Sequence, residues 1–296
     1  AAISKAGGAC TNFNGLQVGI HATDEYTRAR IDHIDCEPLN CAFQNNDIVI
    51  VAGGQAITDS GRLVMLGRNS SDLSAVALAA ALCQDNCEIF SDVHGVYTSD
   101  PYVVEGAQVM AEVPFELCEA MSKSGAKVLY HRAVEYARRY NVKIRCKSLL
   151  PSGEDILGSV IGQGERQSVV VPNAKAKVYQ LPSAGDCDSL LQFLEKQQIS
   201  TVTLEQNHDH YVVVCGDIFD LDGLIASECS SAVSCDAMGM ITHIDENGSV
   251  EHILVESPQV QSQSQKIHDG YYSQPSPVDV EAKLNKQRSD MGLVFS

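Results

Sequence analysis

The chain lacks both a long apolar segment and an excess of positive charge. No apolar run approaches the ~20 residues that a membrane-spanning helix needs, so the sequence does not predict a membrane protein. Lys and Arg number 21 against 38 Asp and Glu, which gives a formal net charge of −17. Nucleic acids and anionic membrane surfaces bind basic faces, so neither is an expected partner.

Paired cysteine spacings are also missing. The 296 residues contain 11 cysteines, an odd number, and no C-x-x-C pair. A disulfide framework or a zinc site needs such pairs, so we expect free thiols, no metal-ligating residues and a cytoplasmic protein. The length predicts one large core or two domains.

Residues 49–101 have the pattern of a ligand site in an α/β protein. Residues 48–52 are apolar and precede Gly53, which indicates a buried strand that ends in a tight turn. The polar loop at residues 66–72 leads into an alanine-rich helix, with Asp72 as a candidate helix cap. Free N–H groups and the helix dipole favour a phosphate or carboxylate at such a loop.

Several motifs follow one another in a fixed order. They are G-R-x-x-S-D in the loop, S-D-V-x-G-V-Y-T-x-D-P from Ser91, S-x-x-G-A-K-V-L from Ser122 and R-A-V-E-x-A from Arg132. Together they resemble the aspartate kinases of the amino-acid kinase superfamily, and the similarity covers roughly residues 1–162. A series of motifs is much more specific than one short motif.

The resemblance implies an α/β fold with part of a three-layer αβα amino-acid kinase sheet. The strand at residues 48–52 is expected to be central in a mainly parallel sheet. The implied activity is ATP-dependent phosphorylation of L-aspartate to 4-phospho-L-aspartate, for lysine, threonine and methionine biosynthesis, with ATP and Mg²⁺ as cofactors. An inactive pseudokinase or regulatory subunit that keeps the nucleotide site is the alternative.

The resemblance also assigns roles to individual residues. Arg68 would bind the substrate carboxylate and Asp72 would hold a phosphate-contacting lysine, although Asp72 could also be a simple helix cap. The rest of the phosphate loop would be Gly67, Asn69, Ser70 and Ser71. The nucleotide would contact Ser91, Asp92, Tyr97 and Lys127. Lys127 could instead be a residue on a helix face.

The sequence departs from the family in several places. The family's opening Lys-Phe-Gly-Gly-Thr-Ser loop has no counterpart, so we interpret the chain as a truncated form with negligible activity alone. Lys5 precedes Gly7 and Gly8, which is typical of a helix end, although a displaced phosphate loop is the alternative. The family has glycines at Asn69 and Ser70, an arginine at Tyr102 and His-Pro at Tyr130 and His131.

After residue 162 the pattern changes to β-α-β-β-α-β, with the last strand expected at residues 240–245. This order predicts an α+β ferredoxin-like ACT regulatory domain at residues 163–256. Residues 1–162 would then be the C-terminal part of the kinase domain. A homodimer through the ACT-like domain is expected, because such domains pair through exposed sheet edges. Residues 257–296 are predicted to be a mobile polar tail with at most a short helix near residues 280–286.

Overall fold

The computed structural model describes residues 2–149, 155–216, 218 and 220–272. These residues divide into two compact units. The first contains residues up to 89 together with residues 129–144, and the second contains residues 90–128 and those from 145 onward. The predicted short helix near residues 280–286 lies outside the described residues.

Short strands alternate with helices along the chain. The strands are β1 (Cys10–Phe13), β2 (Ile20–Ala22), β3 (Ile31–Ile34), β4 (Ile48–Val51), β5 (Gln55–Ile57), β6 (Leu63–Met65), β7 (Asn86–Ser91), β8 (Glu112–Pro114), β9 (Lys143–Leu149), β10 (Asp155–Gly162), β11 (Val169–Asn173), β12 (Lys177–Leu181), β13 (Thr201–Gln206), β14 (Asp209–Val214), β15 (Val233–Ser234), β16 (Met238–Ile244) and β17 (Val250–Glu256). The helices are α1 (Ala2–Lys5), α2 (Glu37–Phe43), α3 (Ser71–Ala81), α4 (Phe115–Lys123), α5 (His131–Tyr140), α6 (Ala184–Lys196), α7 (Leu221–Glu228) and α8 (Val260–Asp269).

The first unit is organised around α3, which packs against α5. Alanine and leucine favour the helical state of α3, and Leu73, Val76 and Ala77 bury its inner face. Helix α5 ends at Tyr140 and is followed by Asn141, whose left-handed backbone (φ 54°) is a common helix stop. Lys5 is the last residue of α1 and Gly7 follows with a φ of 87°, so the predicted helix end is confirmed.

Two small sheets complete the first unit. One has the order β3-β2-β5-β6, in which β2 and β5 are parallel and the other two pairings are antiparallel. The other contains only the parallel pair β1 and β4. The prediction that residues 48–52 form a buried central strand is therefore wrong. Alternate side chains of β4 face solvent, and Ile48 and Ile50 are 41% and 43% exposed.

In the second unit, β10 lies between β9 and β8, and it pairs in parallel with β8. A separate four-stranded antiparallel sheet has the order β13-β14-β12-β15, with α6 and α7 packed on it. This is the predicted ferredoxin-like arrangement of α+β type. Its core contains Leu190, Leu194, Val212 and Ile225, all of which are buried. Ser183 caps α6, because its hydroxyl accepts the N–H of Asp186 at 3.2 Å.

The last strand of this sheet differs from the prediction. Residues 240–245 were expected to close it, but the fourth strand is β15. Most of the expected segment lies in β16, which pairs with β11 and β17 in a three-stranded antiparallel sheet. The long apolar run of β16 is buried, whereas the edge strand β15 is too short and exposed to give a clear pattern.

Residues 257–272 were expected to begin a polar tail, but they form a 3₁₀ turn (Ser257–Gln259) followed by α8. Helix α8 packs on β11 and β16 and buries Val260, Ser264 and His268. Val260 is the fully buried apolar side chain of α8, Ile267 is partly buried beside it, and the other buried positions are polar, so the helix has little apolar periodicity.

A side chain joins the two antiparallel sheets of the second unit. The amide of Gln206, at the end of β13, forms two hydrogen bonds with the backbone of Leu254 in β17, at 2.9 and 3.0 Å.

No helix in the described ranges is long and apolar enough to span a membrane. All 11 cysteines have free thiols.

Candidate active site

The loop between β6 and α3 contains the residues that the sequence assigned to phosphate and substrate binding. Gly67 adopts a φ of 131°, which side-chain-bearing residues rarely adopt. A Cβ on Gly67 would lie 2.7 Å from the Tyr130 hydroxyl. Glycine is therefore needed both for the turn and for the approach of Tyr130.

The loop is held by hydrogen bonds from the preceding turn. Leu66 N–H donates to the Gly54 carbonyl at 2.9 Å, and Gly54 N–H donates to the Ser74 hydroxyl at 2.8 Å. Ser70 is buried, and its hydroxyl donates to the Gly67 carbonyl at 2.6 Å. The Ser70 hydroxyl proton thus closes the loop, which leaves backbone N–H groups and Ser71 to face a ligand.

Arg68 and Asn69 are exposed at the tip of the loop. Asn69 has a left-handed φ of 58°, and asparagine tolerates that region better than most residues. The position is occupied by a glycine in the family that the sequence resembles. The asparagine can adopt this backbone conformation while adding a side chain to the loop.

Asp72 lies in the first turn of α3 and is not the capping residue, which is Ser70. The helix-cap interpretation of Asp72 is therefore wrong. Burial raises the pKa of the Asp72 carboxyl, and a hydrogen bond from the Tyr130 backbone N–H opposes this shift. A partly buried carboxylate beside a phosphate-type loop can bind a cation.

Sequence reasoning missed the contribution of Arg132. Its guanidinium donates to the Leu66 carbonyl at 2.9 Å and to the Ala29 carbonyl at 3.1 Å. These bonds tie the start of the loop to the segment before β3. Arg132 belongs to the R-A-V-E motif, but nothing in that motif indicates which carbonyl groups it would contact.

The second unit contains the residues assigned to the nucleotide. Ser91 and Asp92 are exposed where β7 ends, and the Ser91 hydroxyl donates to the Asp92 carboxylate at 3.2 Å. Tyr97 is buried and forms an isolated antiparallel bridge with Val109. Lys127 is exposed in the loop after α4, so its alternative interpretation as a helix-face residue is wrong.

The backbone around this segment is tightly packed. Val96 N–H donates to the Ser159 hydroxyl at 2.8 Å. A Cβ on Gly158 would lie 1.2 Å from the His94 carbonyl oxygen. Partial burial and the charges of Asp92 and Asp100 raise the pKa of Tyr102, which keeps the phenol protonated.

The residues assigned from sequence fall into two groups. Gly67, Arg68, Asn69, Ser70, Ser71 and Asp72 share one loop of the first unit, and Ser91, Asp92, Tyr97 and Lys127 belong to the second. Across the described part of the chain, no three His, Cys, Asp or Glu side chains are grouped so that they could hold a metal ion.

Comparisons with known proteins are consistent with the motifs. Residues 3–148 match the model of the amino acid kinase family. An aspartate kinase of Pseudomonas fluorescens is 40% identical over 171 residues, which are 58% of this chain and 41% of that protein. The aspartokinase of Corynebacterium glutamicum is 36% identical over 216 residues, covering 70% of this chain and 51% of that protein.

Solved structures give the same fold. E. coli aspartokinase III in complex with aspartate and ADP superposes with a TM-score of 0.70 at 20% identity, over 90% of this chain and 71% of that chain. The same enzyme in complex with lysine and aspartate gives 0.62 at 19% identity, over 91% and 71%. The chain spans about half or less of the length of the two relatives named above.

Proposed function

Because residues 3–148 belong to the amino acid kinase family and the chain is related to the aspartate kinases, we propose that it serves aspartate kinase activity. The reaction is transfer of the γ-phosphoryl group of ATP to the side-chain carboxylate of L-aspartate, giving 4-phospho-L-aspartate and ADP. The names of the relatives support this activity over an inactive nucleotide-binding subunit.

The observation that carries the proposal is the loop at residues 66–72. Phosphoryl transfer needs a positioned acceptor and donors around the phosphoryl oxygens, with little covalent help from the protein. Gly67 has a positive φ that allows the tight turn of the loop, and the first N–H groups of α3 have no partner within the helix. Arg68 offers a planar fork for the substrate carboxylate, and Asp72 would orient a cationic group on the phosphates.

The nucleotide would bind along the Ser91–Asp92 segment, near Tyr97, with Lys127 as a cationic contact. Mg²⁺ would accompany ATP. Since the described residues contain no independent metal cluster, the phosphate oxygens would supply most of its ligands. The ion would neutralise charge on the phosphates when bound.

Binding is the first test, because the chain spans only part of its relatives. We expect calorimetry to detect binding of Mg·ATP and of L-aspartate. Arg68→Ala should weaken aspartate binding and Asp92→Ala should weaken ATP binding, each by about tenfold or more. Arg139→Ala and Asp59→Ala change exposed charges elsewhere and serve as controls. Equal binding by all five proteins would contradict the assigned roles.

Turnover is measured separately as aspartate-dependent ADP release. A chain joined to the N-terminal half of a relative should gain this activity, and Arg68→Ala and Asp72→Ala should each remove it. An ordinary kinase rate of about 1–100 s⁻¹ from the chain alone would contradict its interpretation as a truncated form.

We further propose that residues 1–162 supply the kinase part and residues 163–256 an ACT-like part that forms a homodimer. Edge strand β15 carries Val233, which is 60% exposed, and an apolar edge favours pairing with another sheet. Sedimentation velocity should detect a dimer that Val233→Glu weakens and the control Leu16→Glu does not. A wild-type monomer at micromolar concentration would contradict this. The free thiols support a cytoplasmic location.

A further inference from the structure

Arg28 lies beside the strand that leads into the phosphate loop. Met65 N–H donates to the Tyr26 carbonyl and Ala29 N–H donates to the Met65 carbonyl, both at 2.9 Å. The segment that contains Arg28 therefore runs alongside β6, two residues from Gly67. None of the sequence motifs includes this segment.

The guanidinium of Arg28 is incompletely satisfied. Its Nη1 atom is buried and has no hydrogen-bond partner in the part of the chain that the structure describes. Burial lowers the pKa of Arg28, and the nearby Tyr130 phenol opposes that shift. A buried cationic nitrogen without an acceptor is costly, so its presence beside a ligand loop points to an anionic ligand.

Tyr130 brings a second donor to the same place. Its hydroxyl oxygen lies 2.7 Å from the position that a Cβ on Gly67 would take. Arg132 Nη1 lies 3.4 Å from the Tyr130 oxygen, and the same guanidinium is held by the Leu66 and Ala29 carbonyls. The hydroxyl oxygen can accept from Arg132, which leaves its own proton free to donate to a ligand.

We propose that Arg28 and Tyr130 form a binding subsite for an oxyanion next to Gly67, and that Arg132 positions both. This inference rests on the proposed function and adds two ligand-binding residues to it. A carboxylate oxygen of aspartate and a phosphate oxygen share the required chemistry: negative charge and in-plane lone pairs that accept from a guanidinium and a hydroxyl.

The test compares Arg28→Gln and Tyr130→Phe with matched controls. Arg30→Gln makes the same change at an exposed arginine two residues away, which is paired with Glu25. Tyr26→Phe removes a hydroxyl from an exposed tyrosine. Calorimetric titrations use three probes: L-aspartate, Mg·ATP and inorganic phosphate. Arg28→Gln should weaken at least one of them about tenfold and Tyr130→Phe about threefold, with both controls unchanged.

The probes identify the source of the oxyanion. Loss of aspartate binding alone assigns the subsite to a carboxylate, whereas loss of ATP and phosphate binding assigns it to a phosphoryl group. Arg28→Lys keeps the positive charge but lacks the planar guanidinium group. Intermediate binding by this variant supports the subsite even if Arg28→Gln folds poorly. Binding by Arg28→Lys and Tyr130→Phe equal to that of the wild type overturns it.

Failure of the proposed function gives a different result. If the wild type binds neither aspartate nor Mg·ATP, the proposed function fails. Phosphate binding that Arg28→Gln loses would then still support the oxyanion subsite. If phosphate does not bind the wild type either, both proposals are overturned.

Discussion

The hydroxyl of Thr98 lies 2.9 Å from Nε2 of His268, although 170 residues separate them in the sequence. The same hydroxyl accepts the N–H of Gln108 at 3.0 Å. One turn earlier in α8, the Gln265 amide bonds to both backbone groups of Glu105, at 2.7 and 3.0 Å. Helix α8 thus fixes the segment that follows the candidate nucleotide residues.

A lower pH should destabilise the contact between Thr98 and His268. Burial lowers the pKa of His268, and the charge of Asp269 opposes that shift. Since the unfolded chain binds a proton more readily, stability is complete above the ordinary value of 6.5 and falls as the pH drops below it. We expect the protection factors of the amides of residues 96–108, which are corrected for the slower intrinsic exchange in acid, to fall between pH 7 and pH 5.

Urea unfolding of variants at two histidines isolates the contribution of His268 to the pH dependence of stability. His268→Asn should remove part of the pH dependence, whereas His208→Asn, at an exposed site, should not. His252 also has a pKa lowered by burial and contributes with the same sign, so the informative quantity is the difference between variant and wild type. An identical pH slope for His268→Asn and the wild type would contradict the prediction.

Asp72→Asn should retain or slightly increase stability at pH 7. The pKa of the folded Asp72 carboxyl is raised above its ordinary 3.8, so stability falls as the pH rises through the folded value. The gain should be less than about 1 kcal/mol, because the side chain is only partly buried and solvent screens it. Chemical denaturation at pH 4 and pH 7 checks this, with exposed Asp59→Asn as control. A loss above about 1 kcal/mol at pH 7 would mean that the ionised carboxylate stabilises the fold.

Gly158→Ala should destabilise the second unit by about 2 kcal/mol or more, because its Cβ would overlap the His94 carbonyl oxygen. The displaced backbone lies close to Asp92, so ATP binding should weaken too. Gly185→Ala is the matched control in α6, where the nearest atom would be 3.8 Å away. It should increase stability by about 0.4–1 kcal/mol. Thermal melts that rank the two variants in the opposite order would show that His94 is not packed as described.

Ile48→Thr and Ile50→Thr should change stability by less than about 0.5 kcal/mol, since both side chains are substantially exposed. They should reduce binding of an apolar dye, because they remove apolar surface from β4. Val64→Thr is the comparison on a buried strand position and should cost about 1–3 kcal/mol. A large loss from Ile50→Thr would indicate that β4 is covered in solution.

Sequence patterns predicted the helices, strands and loops that depend mainly on residues adjacent in the sequence. The ferredoxin-like order followed from the succession of strand and helix segments, and the loop before α3 followed from a glycine and polar residues ahead of an alanine-rich segment. Strand β4 was misjudged because an apolar run fits a strand covered on both faces, and the sequence does not say whether a neighbour is there. The hydrogen bonds of Arg132 and the burial of Arg28 Nη1 both involve segments distant in sequence, which composition and spacing do not identify.

The double hydrogen bond between Gln206 and Leu254 has a mechanical consequence. The side-chain amide has the donor and acceptor of a peptide group, so it joins the end of β13 to β17 as another pair of backbone hydrogen bonds would. Tension applied to β17 is therefore transmitted into the neighbouring sheet through two parallel bonds that must break together. Under a pulling force, the sheet that contains β13 and the sheet that contains β17 should unfold in one step. Gln206→Ala should let β17 detach first.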